Sequence, residues 1–271
     1  MLRSTWPALL LLSTMVATTV AAAPAQAATA GVASVYDTTK VRYKAAKKKQ
    51  NKVVVTRSGN TVTIDDRVAV KAGKGCKAVK GDRTKVRCTT KKAPTRVYVY
   101  TYDRNDSITN KADLKITADG GTGSDRIAGG PRGDRLLGGD SGNDTIYGYG
   151  GADWVDTGSG NDVVWGGSGS DQIIDGGGRT SGNDVVHGES GSDVVFAAFG
   201  NDRLYGGSGS DLLFGGSGND RLTGNGGVNF ISGGNGNDVL RGGAGADTLD
   251  GESGRDQCID SSADTRVSCE I

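Results

Sequence analysis

A nine-residue period runs through the second half of the chain. From Gly120 to Ile259 the sequence divides into fifteen consecutive units, nearly all of nine residues, beginning at Gly120, Gly129, Gly138, Gly148, Thr157, Gly166, Asp175, Gly188, Ala197, Gly206, Gly215, Gly224, Gly233, Gly242 and Gly251. One extra residue falls around Asp140, and four more fall in "GGGRTSGND" before Asp184. Position six of the unit is aspartate throughout, except at Asn229. Position eight is aliphatic throughout, from Ile127 to Leu249, and becomes Cys258 in the last unit. Three residues of strand followed by six of glycine-rich turn bury nothing alone. Stacked, the position-eight side chains form one internal column while positions seven and nine face out. That is a solenoid, held by contacts between neighbouring coils. A disordered Gly/Ser linker has no reason to keep position eight apolar.

Position five sets the length of a coil. In one set of alternate units it is usually Asn (Asn143, Asn161, Asn183, Asn201, Asn219 and Asn237); in the intervening ones it is never Asn but Gly133, Ala152, Ser170, Ser192, Ser210, Val228 or Ala246. Two units therefore make one turn of about eighteen residues, with an asparagine edge and an opposite edge. Both long units lie on the asparagine edge.

Coils about 4.8 Å apart bring successive position-six carboxylates close together. Unit charges about 5 Å apart repel by roughly 3 kcal/mol at an effective dielectric near 20. A cation must lie between them, and the repeat half has only nine basic residues. Carboxylates combined with the carbonyls of glycine turns form an all-oxygen set, which suits calcium; zinc calls for nitrogen or sulfur. The candidate ligands are Asp125, Asp134, Asp144, Asp153, Asp162, Asp171, Asp184, Asp193, Asp202, Asp211, Asp220, Asp238, Asp247 and Asp256. The expected cofactor is Ca2+ as multiple ions.

The units "GGTGSDRIA", "GGSGSDQII", "GGSGSDLLF", "GGSGNDRLT", "GGNGNDVLR" and "GGAGADTLD" resemble the RTX, or haemolysin-type, calcium-binding repeat. The resemblance implies an all-β fold: a right-handed parallel β-roll, with calcium held between adjacent turns by the position-six aspartates and turn carbonyls. The pattern departs at Arg132, Tyr149, Asn225, "AAF" (Ala197 to Phe199) and Asn229. The flanks "GKGCKAVKGDRTKVRC" and "RDQCIDSSADTRVSCEI" are similar to those of secreted actinobacterial proteins of this type.

Composition divides the chain near Ala118. Residues 28–117 hold 22 basic and 7 acidic residues, and 118–271 hold 9 and 24; 41 of the 46 glycines lie in the second part. The expected organisation is a signal peptide over 1–27, a basic β-rich capping segment over 28–117, the roll over 118–260 and a disulfide-closed cap over 261–271. An apolar run after Arg3 and the small-x-small "AQA" carry the signal-peptide reading, and with it secretion to the extracellular space. Cys76 with Cys88, and Cys258 with Cys269, then read as two short-loop disulfides. In the basic segment, "NKVVVTRSGNTVTID" reads as a hairpin, and "TRVYVYTYD" puts Tyr98, Tyr100 and Tyr102 on one face. The cluster Lys44 to Lys52 reads as a solvated strand or a docking surface for the acidic roll, with an anionic polymer as the sharper alternative.

Position nine is aromatic in mid-roll, with Tyr147, Trp165, His187 and Tyr205 on one face and Ile174, Phe196 and Phe214 on the other. Stacked ladders stabilise a sheet; an exposed stripe could otherwise meet carbohydrate or a second copy. The chain has a single histidine, so the zinc-protease motif H-E-x-x-H is excluded, and no G-x-S-x-G elbow occurs. The expected function is a non-enzymatic calcium-binding protein of structural or adhesive role, with a calcium-stabilised secreted enzyme or toxin-like protein as the alternative. No membrane span and no specific nucleic-acid partner is expected.

Overall fold

The computed structural model describes residues 30–176, 182–259 and 264–270; the expected signal peptide and the centre of the "GGGRTSGND" insertion lie outside them. Among the described residues all regular structure is β, arranged as two sheets of thirteen strands each. Successive repeats contribute strands alternately to the two sheets, so each strand pairs in parallel with the strand two units away. The register stacks like on like: Ile127, Ile146, Val164, Val186, Leu204, Leu222, Leu240 and Cys258 face one another down one sheet. Leu136, Val155, Ile173, Val195, Leu213, Ile231 and Leu249 do so down the other. These columns meet inside the solenoid as a core almost without solvent contact. Among the described residues no helix is long and apolar enough to cross a membrane.

The turns need a left-handed backbone at position two. Gly207 supplies it at φ 113°, and a Cβ there would lie 2.0 Å from the Glu189 carbonyl oxygen of the coil before. The departures Tyr149, Ala198 and Asn225 adopt φ of 73°, 63° and 72°, so they keep the turn at the cost of local strain.

Parallel stacking does not begin at the composition boundary. Lys115–Thr122 pairs with Arg96–Tyr100, and that with Lys40–Lys44. Arg126–Gly130 pairs with Ser107–Asn110, and that with Lys52–Ser58. Only beyond these does pairing turn antiparallel. Gly31–Asp37 folds against Lys40–Lys44, and Thr61–Asp65 against Lys52–Ser58 through the two-residue turn Gly59-Asn60. Asp82–Thr89 and Cys76–Val79 then complete that sheet, with Cys76 bonded to Cys88 directly opposite. At the other end Cys258 is bonded to Cys269 across Thr265–Val267, which pairs with Thr248–Gly254. One hydrophobic core runs from Ala33 to Cys258.

The basic segment therefore meets the roll by sharing its sheets. Of the 24 acidic residues after 117, the 14 at position six point inward, which leaves 10 against 9 basic residues. Lys44, Lys47, Lys48, Lys49 and Lys52 remain exposed.

The mid-roll aromatics form a stack. Ring centroids of Tyr147, Trp165, His187 and Tyr205 follow one another at 4.7, 5.8 and 4.7 Å, within 7° of parallel. Tyr147 also meets the Tyr149 ring at 5.9 Å, and the Arg126 guanidinium lies over the Tyr147 ring at 4.3 Å. On the other sheet Phe196 stacks on Phe214 at 4.6 Å, and Phe230 of position seven extends the row.

Candidate metal centre

Each position-six aspartate precedes an inward position-eight residue by two, and strand alternation turns both to the same side. Its carboxylate is carried under the turn rather than out to a solvated corner. All fourteen are between 0 and 4 % exposed.

The carboxylates form two rails. On the asparagine edge these are Asp125, Asp144, Asp162, Asp184, Asp202, Asp220, Asp238 and Asp256; on the other they are Asp134, Asp153, Asp171, Asp193, Asp211 and Asp247, with Asn229 between the last two. In each rail the Oδ1 atom accepts the backbone N–H of the position-six residue one coil earlier. These bonds measure 2.6–2.9 Å on both edges. Asn229 joins the ladder through its own Oδ1, which accepts from Asp211, so an amide keeps the Oδ1 bond while losing the charge, and its Nδ2 is buried without a partner.

The second oxygen is different. Oδ2 of Asp125, Asp134, Asp144, Asp153, Asp162, Asp171, Asp193, Asp202, Asp211, Asp220, Asp238, Asp247 and Asp256 is buried and accepts no hydrogen bond. It looks across the turn at the position-one glycine. A Cβ built on Gly120 would lie 2.3 Å from Asp125 Oδ2 and 2.4 Å from the carbonyl oxygen of Gly138, one coil on. At Gly148 the corresponding distances are 2.2 Å to Asp153 Oδ2 and 2.3 Å to Gly166 O. Two acceptors converge on a space kept open by the missing side chain, with no donor between them. Only a proton or a cation relieves such a pair.

The electrostatics agree. Burial pushes Asp125, Asp134 and Asp184 up to about 7, Asp144, Asp171, Asp193 and Asp220 to about 6, and Asp153, Asp162 and Asp202 to about 8. Asp211 and Asp238 are raised for the same reason. Neighbouring carboxylates add to the rise at Asp153, where Asp171 and Asp134 stand on either side. Among the described residues no three carboxylate, imidazole or thiolate side chains gather at one point. The remaining ligands of an ion here would be backbone carbonyls, which is oxygen chemistry. The one imidazole, His187, is held between Trp165 and Tyr205 in the outer stack.

Sequence reasoning missed the role of position five. Each asparagine Oδ1 accepts the backbone N–H of the position-five residue one coil later, from Asn161 on Asn143 through Asn237 on Asn219 to Arg255 on Asn237. This ladder runs opposite in sense to the aspartate ladder, so each asparagine-edge turn is tied to the coil before it and the coil after it. The alternation of Asn with smaller residues was the available signal.

A family model described as the RTX calcium-binding nonapeptide repeat (4 copies) matches residues 119–141, 138–173, 180–204, 187–222, 196–231 and 223–258. No curated protein matches the chain.

Proposed function

The chain carries RTX calcium-binding nonapeptide repeats along its β-solenoid, and from that premise we propose a secreted, non-enzymatic protein whose roll folds as calcium enters its turns and which serves a structural or adhesive role. One observation supports this above the others: thirteen buried Oδ2 atoms accept no hydrogen bond. The fourteen position-six aspartates would hold the ions together with turn carbonyls. Calcium supplies the positive charge that lets these carboxylates stay ionised when buried. Without it, each coil added brings another desolvated carboxylate under the turn; with it, binding free energy becomes folding free energy. Secretion is supported by the signal-like residues 1–27 and by two closed disulfides. A non-enzymatic role fits the placement of the only histidine inside an aromatic stack.

The test is a circular-dichroism titration of chelated protein. Calcium should raise β-structure cooperatively, and magnesium at equal concentration should not. A demetallated sample that keeps a compact fold, with a melting temperature indifferent to calcium, would overturn the reading.

The inward turning of the acidic charge favours a second reading, an anionic polymer as partner. Once calcium neutralises the rails, the surface charge is dominated by the basic segment, whose lysines at 47, 48 and 49 are exposed.

A further inference from the structure

The asparagine-edge rail does not stop at Asp125. Ser107–Asn110 pairs with Arg126–Gly130 so that Ile108 faces Ile127, which places Asp106 directly over Asp125 at position six. The backbone N–H of Asp106 donates to Asp125 Oδ1 at 2.6 Å, and Asp106 Oδ1 accepts the N–H of Asn51 at 2.5 Å, the same bond that links every later rung. Asp106 is 5 % exposed, and its Oδ2 is buried without a hydrogen bond. Thr101 fills the space that a position-one glycine leaves open in later coils; its hydroxyl donates to the Gly120 carbonyl at 2.9 Å and also lies close to the Asp106 carboxyl, adding an oxygen to the site. Burial raises the carboxyl to about 7. Among the described residues no lysine or arginine of this strongly basic segment forms an ion pair with it.

The turn that precedes Asp106 is a repeat turn as well. Tyr102 and Arg104 stand where the next coil on this edge has Gly121 and Gly123, and they adopt φ of 75° and 77° where the glycines have 96° and 113°. A Cβ on Gly121 would lie 2.1 Å from the Tyr102 carbonyl oxygen, much as a Cβ on Gly139 would lie 2.0 Å from that of Gly121. Asn105 takes the place of the position-five asparagines and accepts the N–H of Ser124 at 3.1 Å. Thr101 stands at position one, as Thr157 does within the matched repeats. Ordinary residues rarely hold a left-handed backbone, and two in one turn require an environment that compels it.

We propose that residues 101–109, TYDRNDSIT, are a sixteenth repeat unit that has lost its glycines and kept its metal site, with Asp106 and Asp125 together holding a further divalent oxygen-seeking cation, calcium. The inference rests on the calcium reading of the roll and extends it beyond the residues that match the repeat family, which start at 119. It also gives the basic segment a stake in the ion. Lys52–Ser58 pairs in parallel with Ser107–Asn110, so the last rung lies beneath the strands on which the capping hairpins are built.

Asp106→Asn tests it in the full chain. Asn229 already shows an amide in a rail with its Oδ1 bond and backbone bond kept, although its Nδ2 is buried without a partner, so the variant should fold. Calcium bound per chain is counted by equilibrium dialysis, and amide hydrogen exchange is followed with calcium and with chelator. The variant should bind one calcium fewer than the wild type. Calcium-dependent protection of Ser107–Asn110 should fall by roughly tenfold while that of Leu212–Ser217 holds. Arg104→Gly, which restores the glycine, should keep the full count. An Asp106→Asn variant with an undiminished count, or wild-type Ser107–Asn110 protected equally with and without calcium, overturns the inference and leaves the roll reading intact. A wild type that binds no calcium overturns both.

Discussion

At Asp202 a single carboxylate carries two opposed effects. Its Oδ1 ties one coil to the next and its Oδ2 is buried without a partner. Asp202→Asn keeps the first and removes the charge from the second. In chelator the variant should melt higher than the wild type, because no buried carboxylate has to be neutralised. In calcium it should melt lower, with a stability loss on the order of 1–3 kcal/mol, the size of a lost charged contact. Paired thermal melts in the two media check the reversal of sign; a change of the same sign in both would contradict the role given to Oδ2. The same logic separates position one from position two. Gly148 leaves room for two converging oxygens, whereas Gly207 is required by backbone conformation.

At the scale of the strand, three residues contribute one inward apolar side chain, and the stack multiplies it. Leu213 is fully buried with Val195 and Ile231 above and below in register. Leu213→Ala should cost about 2–5 kcal/mol, read as a lowered urea midpoint in calcium. The outer aromatic stack is a smaller contribution. Trp165→Ser breaks two ring contacts, at 4.7 and 5.8 Å, and should cost up to about 1 kcal/mol for each. Its sedimentation behaviour should match the wild type, because the ring faces are already occupied; a shift in oligomeric state would reveal an interface along the stripe. The strands and their faces were legible from the period of nine. The opposed asparagine and aspartate ladders were not, because the direction of a side-chain-to-backbone bond depends on which coil lies above.

For the whole molecule, the rails act together on the pH dependence of folding. A carboxyl whose folded value is raised above the ordinary 3.8 binds protons more tightly folded than unfolded. It therefore favours the fold fully below about 3.8, and that contribution is lost as pH rises through the folded values of about 6 to 8. Chelated protein should accordingly be better folded at pH 4 than at pH 8. Calcium-loaded protein should do the opposite, as protons displace the ion on acidification. Denaturant midpoints at the two pH values, with and without calcium, measure both trends. The charge distribution leads to one more expectation. Neutralising Lys47, Lys48 and Lys49 should weaken retention on a polyanion column at moderate salt and flatten its salt dependence; unchanged retention would remove the anionic-polymer reading.

The amino-acid sequence alone determined the coil, because a nine-residue period with one apolar residue can be buried only by stacking. It also determined which fourteen aspartates lie on the rails, since position six stands at a constant offset from that apolar residue. The tertiary structure decided where the solenoid starts. Composition changes at Ala118, yet the sheets run on through Ile108, Val97, Val53 and Val41. Tyr102 and Arg104 hide a repeat turn there behind side chains that no glycine pattern can detect, because a left-handed backbone can be imposed by neighbouring coils as well as permitted by glycine. Burial was decided at the same level: an aspartate in a glycine-rich turn reads as solvated until the next coil closes over it.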